Sequence, residues 1–133
     1  MKAAVFEETG KPIQLYDNVD IIDPRAGEVR VKVKYCSVCH SDLSVIDGSL
    51  PAFGPTILGH EASGIIESVG PGVTSLTKGD HVVLTPVPPC GTCYFCVRGE
   101  ATLCANNTSL YTYALADGNT GLSRNGEVLY RGL

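Results

Sequence analysis

Four of the six cysteines crowd into one stretch, "PPCGTCYFCVRGEATLC", running from Pro88 to Cys104. Cys90, Cys93, Cys96 and Cys104 follow the spacing C-x2-C-x2-C-x7-C. Cysteines three residues apart return their thiols to one side of a tight turn, where a tetrahedral ion can collect them at about 2.3 Å each. Paired as disulfides, the same thiols would have to close very short loops, which strains the bond. The N-terminal "MKAAVFEETG" has one lysine and a brief apolar run that Glu7 and Glu8 end, too short for the core of a secretory signal. The expected address is therefore the reducing cytoplasm, where metal thiolates persist and disulfides rarely do. The spacing predicts a structural zinc lobe over 88–105. Four thiolates leave such an ion no open position, so it would hold a loop together and perform no chemistry.

A second group of residues lies outside the lobe, in "CHSD" at Cys39 to Asp42 and "GHE" at Gly59 to Glu61. Thiolate and imidazole both suit zinc, and Glu61 stands beside His60. A catalytic zinc needs three protein ligands and an open position, and Cys39 and His60 supply two. Taken alone, a cysteine and a histidine 21 residues apart read sooner as a buried thiol and a satisfied histidine. By pattern alone Ser41 likewise reads as a helix cap sooner than as a proton carrier.

The elements that must position these residues are mostly strands. Lys2 to Glu7 and Ile13 to Tyr16 read as the first two, joined through Gly10-Lys11-Pro12. In "EVRVKVKY", Val29, Val31, Val33 and Tyr35 alternate with Arg30, Lys32 and Lys34, the period of a half-buried antiparallel strand. Cys36 then falls opposite Tyr35 and reads as a small packed thiol. "CHSDLSVIDG" has room for a short helical turn, with Ser41 or Asp42 as its cap and Gly48 as its stop. "EASGIIESVG" and "HVVLTP" give two further strands, with His81 in a structural role. Residues 106–125 read as polar loop, and Glu127 to Arg131 as one last strand. The fold class is mainly β, a closed or partly open barrel with short helices at its rim. The 133 residues suffice for one domain, and 15 glycines and 8 prolines leave little room for long helices. A net charge of -4 would repel phosphate backbones, so no nucleic-acid partner is expected. No run reaches membrane-spanning length, so no membrane is expected either.

The order and spacing of "GEV", "VKV", "CHSDL", "GHEASGIIESVGPGV", "KGDHVV" and the four-cysteine lobe resemble the N-terminal half of a zinc-dependent alcohol dehydrogenase of the medium-chain superfamily. The resemblance is close from Met1 to Cys104 and looser beyond. It implies a GroES-like, partly open barrel spanning 1–133 and, in the longer family members, a Rossmann domain that binds NAD or NADP. By that resemblance Cys39 and His60 match two ligands of the catalytic zinc, and Glu61 an acid that can approach the metal from behind. Asp42 matches a carboxylate that orients the ligating histidine. Ser41 matches the hydroxyl that takes the alcohol proton, and His40 a basic position facing the cofactor pyrophosphate. Leu50 and Pro86, with Ser41, fall where the family lines its substrate pocket. Cys90, Cys93, Cys96 and Cys104 match the structural zinc ligands.

The implied activity is oxidation of a small alcohol to an aldehyde or ketone, with hydride passing to the nicotinamide cofactor. The full-length protein would be a homo-oligomer. Three departures stand out. No cysteine follows Cys104 to complete the catalytic ligand set, no G-x-G-x-x-G is present, and Ser44 occupies a position where many relatives place a histidine of the proton relay. The 133-residue chain alone is therefore expected to be inactive. The alternative is a free-standing, zinc-stabilised binding module without dehydrogenase activity.

Overall fold

The computed structural model describes residues 1–107, 112–115 and 117–132. Strand β1 (Ala3–Phe6) pairs antiparallel with β2 (Gln14–Tyr16). A strand not expected from the sequence, β3 (Val19–Ile21), follows at once. The two longest strands come next, β4 (Val29–Ser37) and, after helix α1 (His40–Ile46) and the short β5 (Thr56–Ile57), β6 (Glu61–Val69). They run antiparallel, from Val29 opposite Val69 to Ser37 opposite Glu61, and β7 (His81–Val83) adds to the far side of β6. The cysteine lobe carries one turn of helix, α2 (Tyr94–Val97), and a 3-10 turn at Ala101–Leu103.

Beyond the lobe the structure departs from the expected loop and single strand. β8 (Leu122–Arg124) pairs antiparallel with β3, and β9 (Glu127–Val128) turns back onto β8. The reversal sits at Asn125-Gly126, with φ of 51° and 85°. Two successive positive φ values define the tight hairpin turn whose twist matches its strands, and Asn-Gly is its strongest sequence signal. Leu129 still donates its N–H to the Leu122 carbonyl at 3.1 Å, and β10 (Tyr130–Arg131) then leaves that sheet to run parallel to β5. The expected strand at Glu127 to Arg131 is thus two strands in two sheets.

Among the described residues the result is mainly β, with three open sheets ordered β10-β5-β1-β2, β3-β8-β9 and β4-β6-β7, and only short helices. The partly open β architecture is the one the sequence led us to expect. Its central cluster joins the first two sheets: Val5, Val19, Leu122 and Leu129 are buried together, with Ala3, Tyr16, Ile21 and Ile57 packed around them. Burying an aliphatic side chain of this size contributes about 1.5–3 kcal/mol.

The third sheet is less covered than its alternating pattern suggests. Val33 and Tyr35 on β4 are 51% and 80% exposed, against the half-buried face expected. Val33, with Val31, lines a cavity and so is left open on that side. Irregular register between Arg30 and Val31, and again between Val33 and Tyr35, breaks the alternation as well. Cys36 is exposed too, so it is no packed thiol. His81 is exposed at the head of β7, opposite Ile65.

Candidate metal centres

Two clusters of ligand atoms form among the described residues, one on the cysteines that spacing singled out and one on the residues that the family resemblance pointed to. In the lobe, the sulfurs of Cys90, Cys93, Cys96 and Cys104 all lie within 4.8 Å of one another. Cys90 Sγ and Cys96 Sγ are 3.9 Å apart. Thiolates at tetrahedral corners about 2.3 Å from an ion sit ~3.8 Å apart, so the spacing is right for zinc.

Local backbone shapes this arrangement. Cys93 caps α2, which returns Cys96 to the same side, and Gly91 and Gly99 turn the chain at φ of 76° and 82°. Backbone and hydroxyl hydrogen bonds from Thr92, with the Cys93 N–H and the Asn106 amide, draw the Cys90 thiol down to about 5. Burial and the neighbouring sulfurs push Cys96 up to about 11. One thiol ionises easily and its neighbour resists, an opposition that a dication removes by neutralising the thiolates together. The Cys90 N–H also donates to Cys104 Sγ at 3.3 Å. Nothing in the spacing marks Thr92 or Asn106 for their parts in this shell.

The second cluster is assembled by strand register. Ser37 at the end of β4 faces Glu61 at the start of β6, so Cys39, two residues past that pair, meets His60, one residue before it. Ligand atoms of Cys39, His60 and Glu61 lie within 4.8 Å of one another. Gly59 admits the close approach: it has φ of 110°, and a Cβ there would lie 2.7 Å from Cys36 Sγ.

Helix α1 begins at this point, but neither Ser41 nor Asp42 is its N-cap. Cys39 is the N-cap, and its N–H donates to Asp42 Oδ2 at 2.9 Å. That fixes the buried Asp42 with its other oxygen, Oδ1, 3.6 Å from His60 Nδ1. Both facing atoms are buried, and neither has a hydrogen-bond partner. The opposite ring nitrogen, Nε2, lies 3.4 Å from Ser41 Oγ, which donates to Cys39 Sγ at 3.3 Å. A cation on Cys39 Sγ and His60 Nε2 would leave Nδ1 as the protonated nitrogen, able to donate to Asp42. Thiolate, imidazole and carboxylate together suit zinc, so the residues present fit that ion.

The remaining candidates are less gathered. His40 is exposed at the first turn of α1, and Glu61 is exposed on the rim of the cluster. The Ser44 hydroxyl donates to the His40 carbonyl at 3.2 Å. Pro86 and His60 both line a cavity of 420 Å³, whereas Leu50 is not in its wall and is 39% exposed. Helix α1 stops as expected at Gly48, which has φ of 84°.

Comparison with known proteins bears on both centres. The profile described as the alcohol dehydrogenase GroES-like domain matches residues 25–126. The chain is 42% identical over 125 residues to the NDMA-dependent alcohol dehydrogenase of Amycolatopsis methanolica, covering 94% of this chain and 33% of that protein. It is 41% identical over 131 residues to the S-(hydroxymethyl)glutathione dehydrogenase of a Synechocystis strain, covering 97% and 35%. Among solved structures, the alcohol dehydrogenase zinc-binding domain protein of Burkholderia ambifaria superposes with a TM-score of 0.89 at 41% identity, over 98% of this chain and 35% of that one. The chain thus spans about a third of the length of the curated relatives it matches.

Proposed function

The chain belongs to the family of alcohol dehydrogenase GroES-like domains, and on that premise we propose that it is the N-terminal catalytic part of a zinc-dependent alcohol dehydrogenase. The reaction is oxidation of an alcohol to an aldehyde or ketone, with hydride passed to NAD or NADP. The observation that carries this reading is the cluster of Cys39, His60 and Glu61 with buried Asp42 behind His60. Zinc held there supplies a Lewis acid that draws the pKa of a hydroxyl toward neutrality.

The chain's own residues do the rest. Cys39 and His60 would hold the ion, with Glu61 beside them on the exposed rim. With the ion on Nε2, Asp42, whose Oδ1 faces Nδ1 at 3.6 Å, would fix the tautomer and the angle of His60. Ser41 takes the proton from the alcohol, since its hydroxyl already lies between Cys39 Sγ and His60 Nε2. Ser44 does not pass that proton on, because its hydroxyl is turned back onto the His40 carbonyl, and water receives it instead. His40, exposed on α1, meets the cofactor's phosphates, and Pro86 forms an apolar wall for the substrate, while Leu50, outside the cavity wall, stays open to meet it from the exposed side. Cys90, Cys93, Cys96 and Cys104 would hold a second, structural zinc. The nicotinamide is bound by a separate unit of a longer polypeptide, a cytoplasmic homo-oligomer, and the 133-residue chain alone turns over no alcohol.

Ser41→Ala tests the relay in a polypeptide that joins this segment to its nicotinamide-binding unit. The variant should lower kcat for alcohol oxidation by ~10^2 to 10^4-fold while leaving cofactor affinity unchanged. Wild-type kcat across the pH range would reduce Ser41 to a structural residue.

A further inference from the structure

Asn125 and Gly126 form the exposed tip of the β8–β9 hairpin, where the glycine nitrogen can attack the amide carbon of the asparagine side chain. Gly126 leaves that nitrogen accessible. A Cβ at this residue would meet nothing within 4 Å, and its N–H donates to no group among the described residues. The side-chain oxygen under attack, Asn125 Oδ1, accepts from Asn18 Nδ2 at 3.1 Å. A donor at that oxygen stabilises the negative charge it gains as the new bond forms. Asn18 reaches the tip from the connection between β2 and β3, so the fold supplies this donor. Attack also requires the tip to leave its turn conformation. That costs little, because β9 is a two-residue strand at the sheet edge with both residues exposed.

The other asparagines lack this combination. Asn18 precedes Val19, which is β-branched and fully buried and whose N–H donates to the Met1 carbonyl at 3.1 Å. Asn119 has a donor on Oδ1 as well, the Gly121 N–H at 2.7 Å, but the residue after it is the buried, β-branched Thr120. Asn106 holds its amide against Cys90 Sγ at 3.4 Å, and the N–H of Asn107 after it is bonded to the Cys104 carbonyl. Asn107 precedes the β-branched Thr108.

We propose that Asn125 is a site of self-modification, at which the folded chain converts its own asparagine to aspartate and isoaspartate. The Gly126 nitrogen bonds to Asn125 Cγ, the bond from Cγ to Nδ2 breaks, and Nδ2 leaves as ammonia with the proton from Gly126. Water then opens the cyclic imide at either carbonyl. One water is consumed and one ammonia released, with nothing oxidised or reduced. Opening at the backbone carbonyl gives isoaspartate, which adds a carbon to the main chain at the tip. The ladder pairs Arg124–Glu127 and Ser123–Val128 then lose the tight turn that sets their register.

Incubation of the 133-residue chain in mildly alkaline buffer, with peptide mapping by mass spectrometry, tests this. Electron-transfer fragmentation separates isoaspartate from aspartate. Asn125 should convert before Asn18, Asn106, Asn107 and Asn119. Asn18→Ala, an exposed change compared at matched circular dichroism, should slow Asn125 about threefold, the effect of one lost hydrogen bond in water. In urea, which removes the fold that brings Asn18 to the tip, both chains should convert at the same rate. Another asparagine converting first in the folded wild type would overturn the proposal. So would an Asn18→Ala chain that keeps the wild-type rate in buffer, or a difference that persists in urea.

Discussion

At the scale of single residues, the most informative pair is Asp42 and His60. Asp42 serves two structures at once: Oδ2 accepts from the Cys39 N–H at the start of α1, and Oδ1 faces His60 Nδ1. Asn in its place keeps an oxygen for the cap but loses the negative charge that makes His60 a stronger ligand. Asp42→Asn should therefore leave the helix intact by circular dichroism while weakening metal at Cys39 and His60 by about 10–100-fold. Cobalt competition against a chelator measures it. Unchanged affinity would mean that Asp42 matters only to the cap. The sequence offered Asp42 as a possible cap by pattern and as the partner of His60 by resemblance, while its place between the two depends on Cys39 being the N-cap, a residue type seldom read as one.

At the scale of elements, the two metal centres differ in what builds them. The lobe supplies all four sulfurs from fifteen consecutive residues, so its binding energy is coupled to folding of that segment alone. The other centre draws Cys39 and His60 from two strand ends and depends on the β4–β6 register. Dialysis of the chain against a mild chelator should therefore leave about one zinc, held in the lobe. Cys93→Ser should bring that to near zero and unravel the lobe, and His60→Ala should leave it in place. Elemental analysis with native mass spectrometry distinguishes the cases; two tightly held zincs, or one lost with His60 and not with Cys93, would reverse the assignment. The lobe was legible in the sequence because ligand spacing is a local property. The hairpin at Asn125-Gly126 was equally local, and its signal was there in the dipeptide, hidden by reading 106–125 as continuous loop.

At the scale of the whole molecule, two sets of charges tie distant parts of the chain together. Glu7 accepts from Arg124 and from the Tyr16 hydroxyl, each at 2.8 Å, and the Arg124 guanidinium lies 3.8 Å above the Tyr16 ring. Arg25 bridges Glu28 and Asp117. These contacts hold the Glu7, Glu28 and Asp117 carboxyls below their ordinary values, Glu7 chiefly through Arg124 and the other two chiefly through Arg25. A carboxyl whose folded pKa is depressed adds stability that is complete above its unfolded value, near 4.5 for Glu7, and is lost as pH falls through the folded value. Glu7→Gln should accordingly lower stability at neutral pH and shrink the loss between pH 5 and pH 3, followed by urea denaturation. Release of zinc by acid affects both proteins alike, so the difference isolates Glu7. Parallel pH profiles would show that this ion pair contributes nothing. Asp117 is more exposed than Glu7, and salt should screen its part more.

The sequence by itself determined the closed sulfur site, the mainly β class and the strands with clear alternation. Each of these is written in spacing over a few residues, where covalent geometry leaves little choice. The tertiary structure decided which residues 21 apart would meet as Cys39 and His60 do, because strand register sets that meeting and no local pattern encodes register. It also sent β9 and β10 to different sheets, left Val33, Tyr35 and Cys36 uncovered, and brought Glu7 and Arg124 together from opposite ends of the chain. Burial belongs to what an element packs against, and so does the pairing of a charge. Neither can be read from the element's own residues.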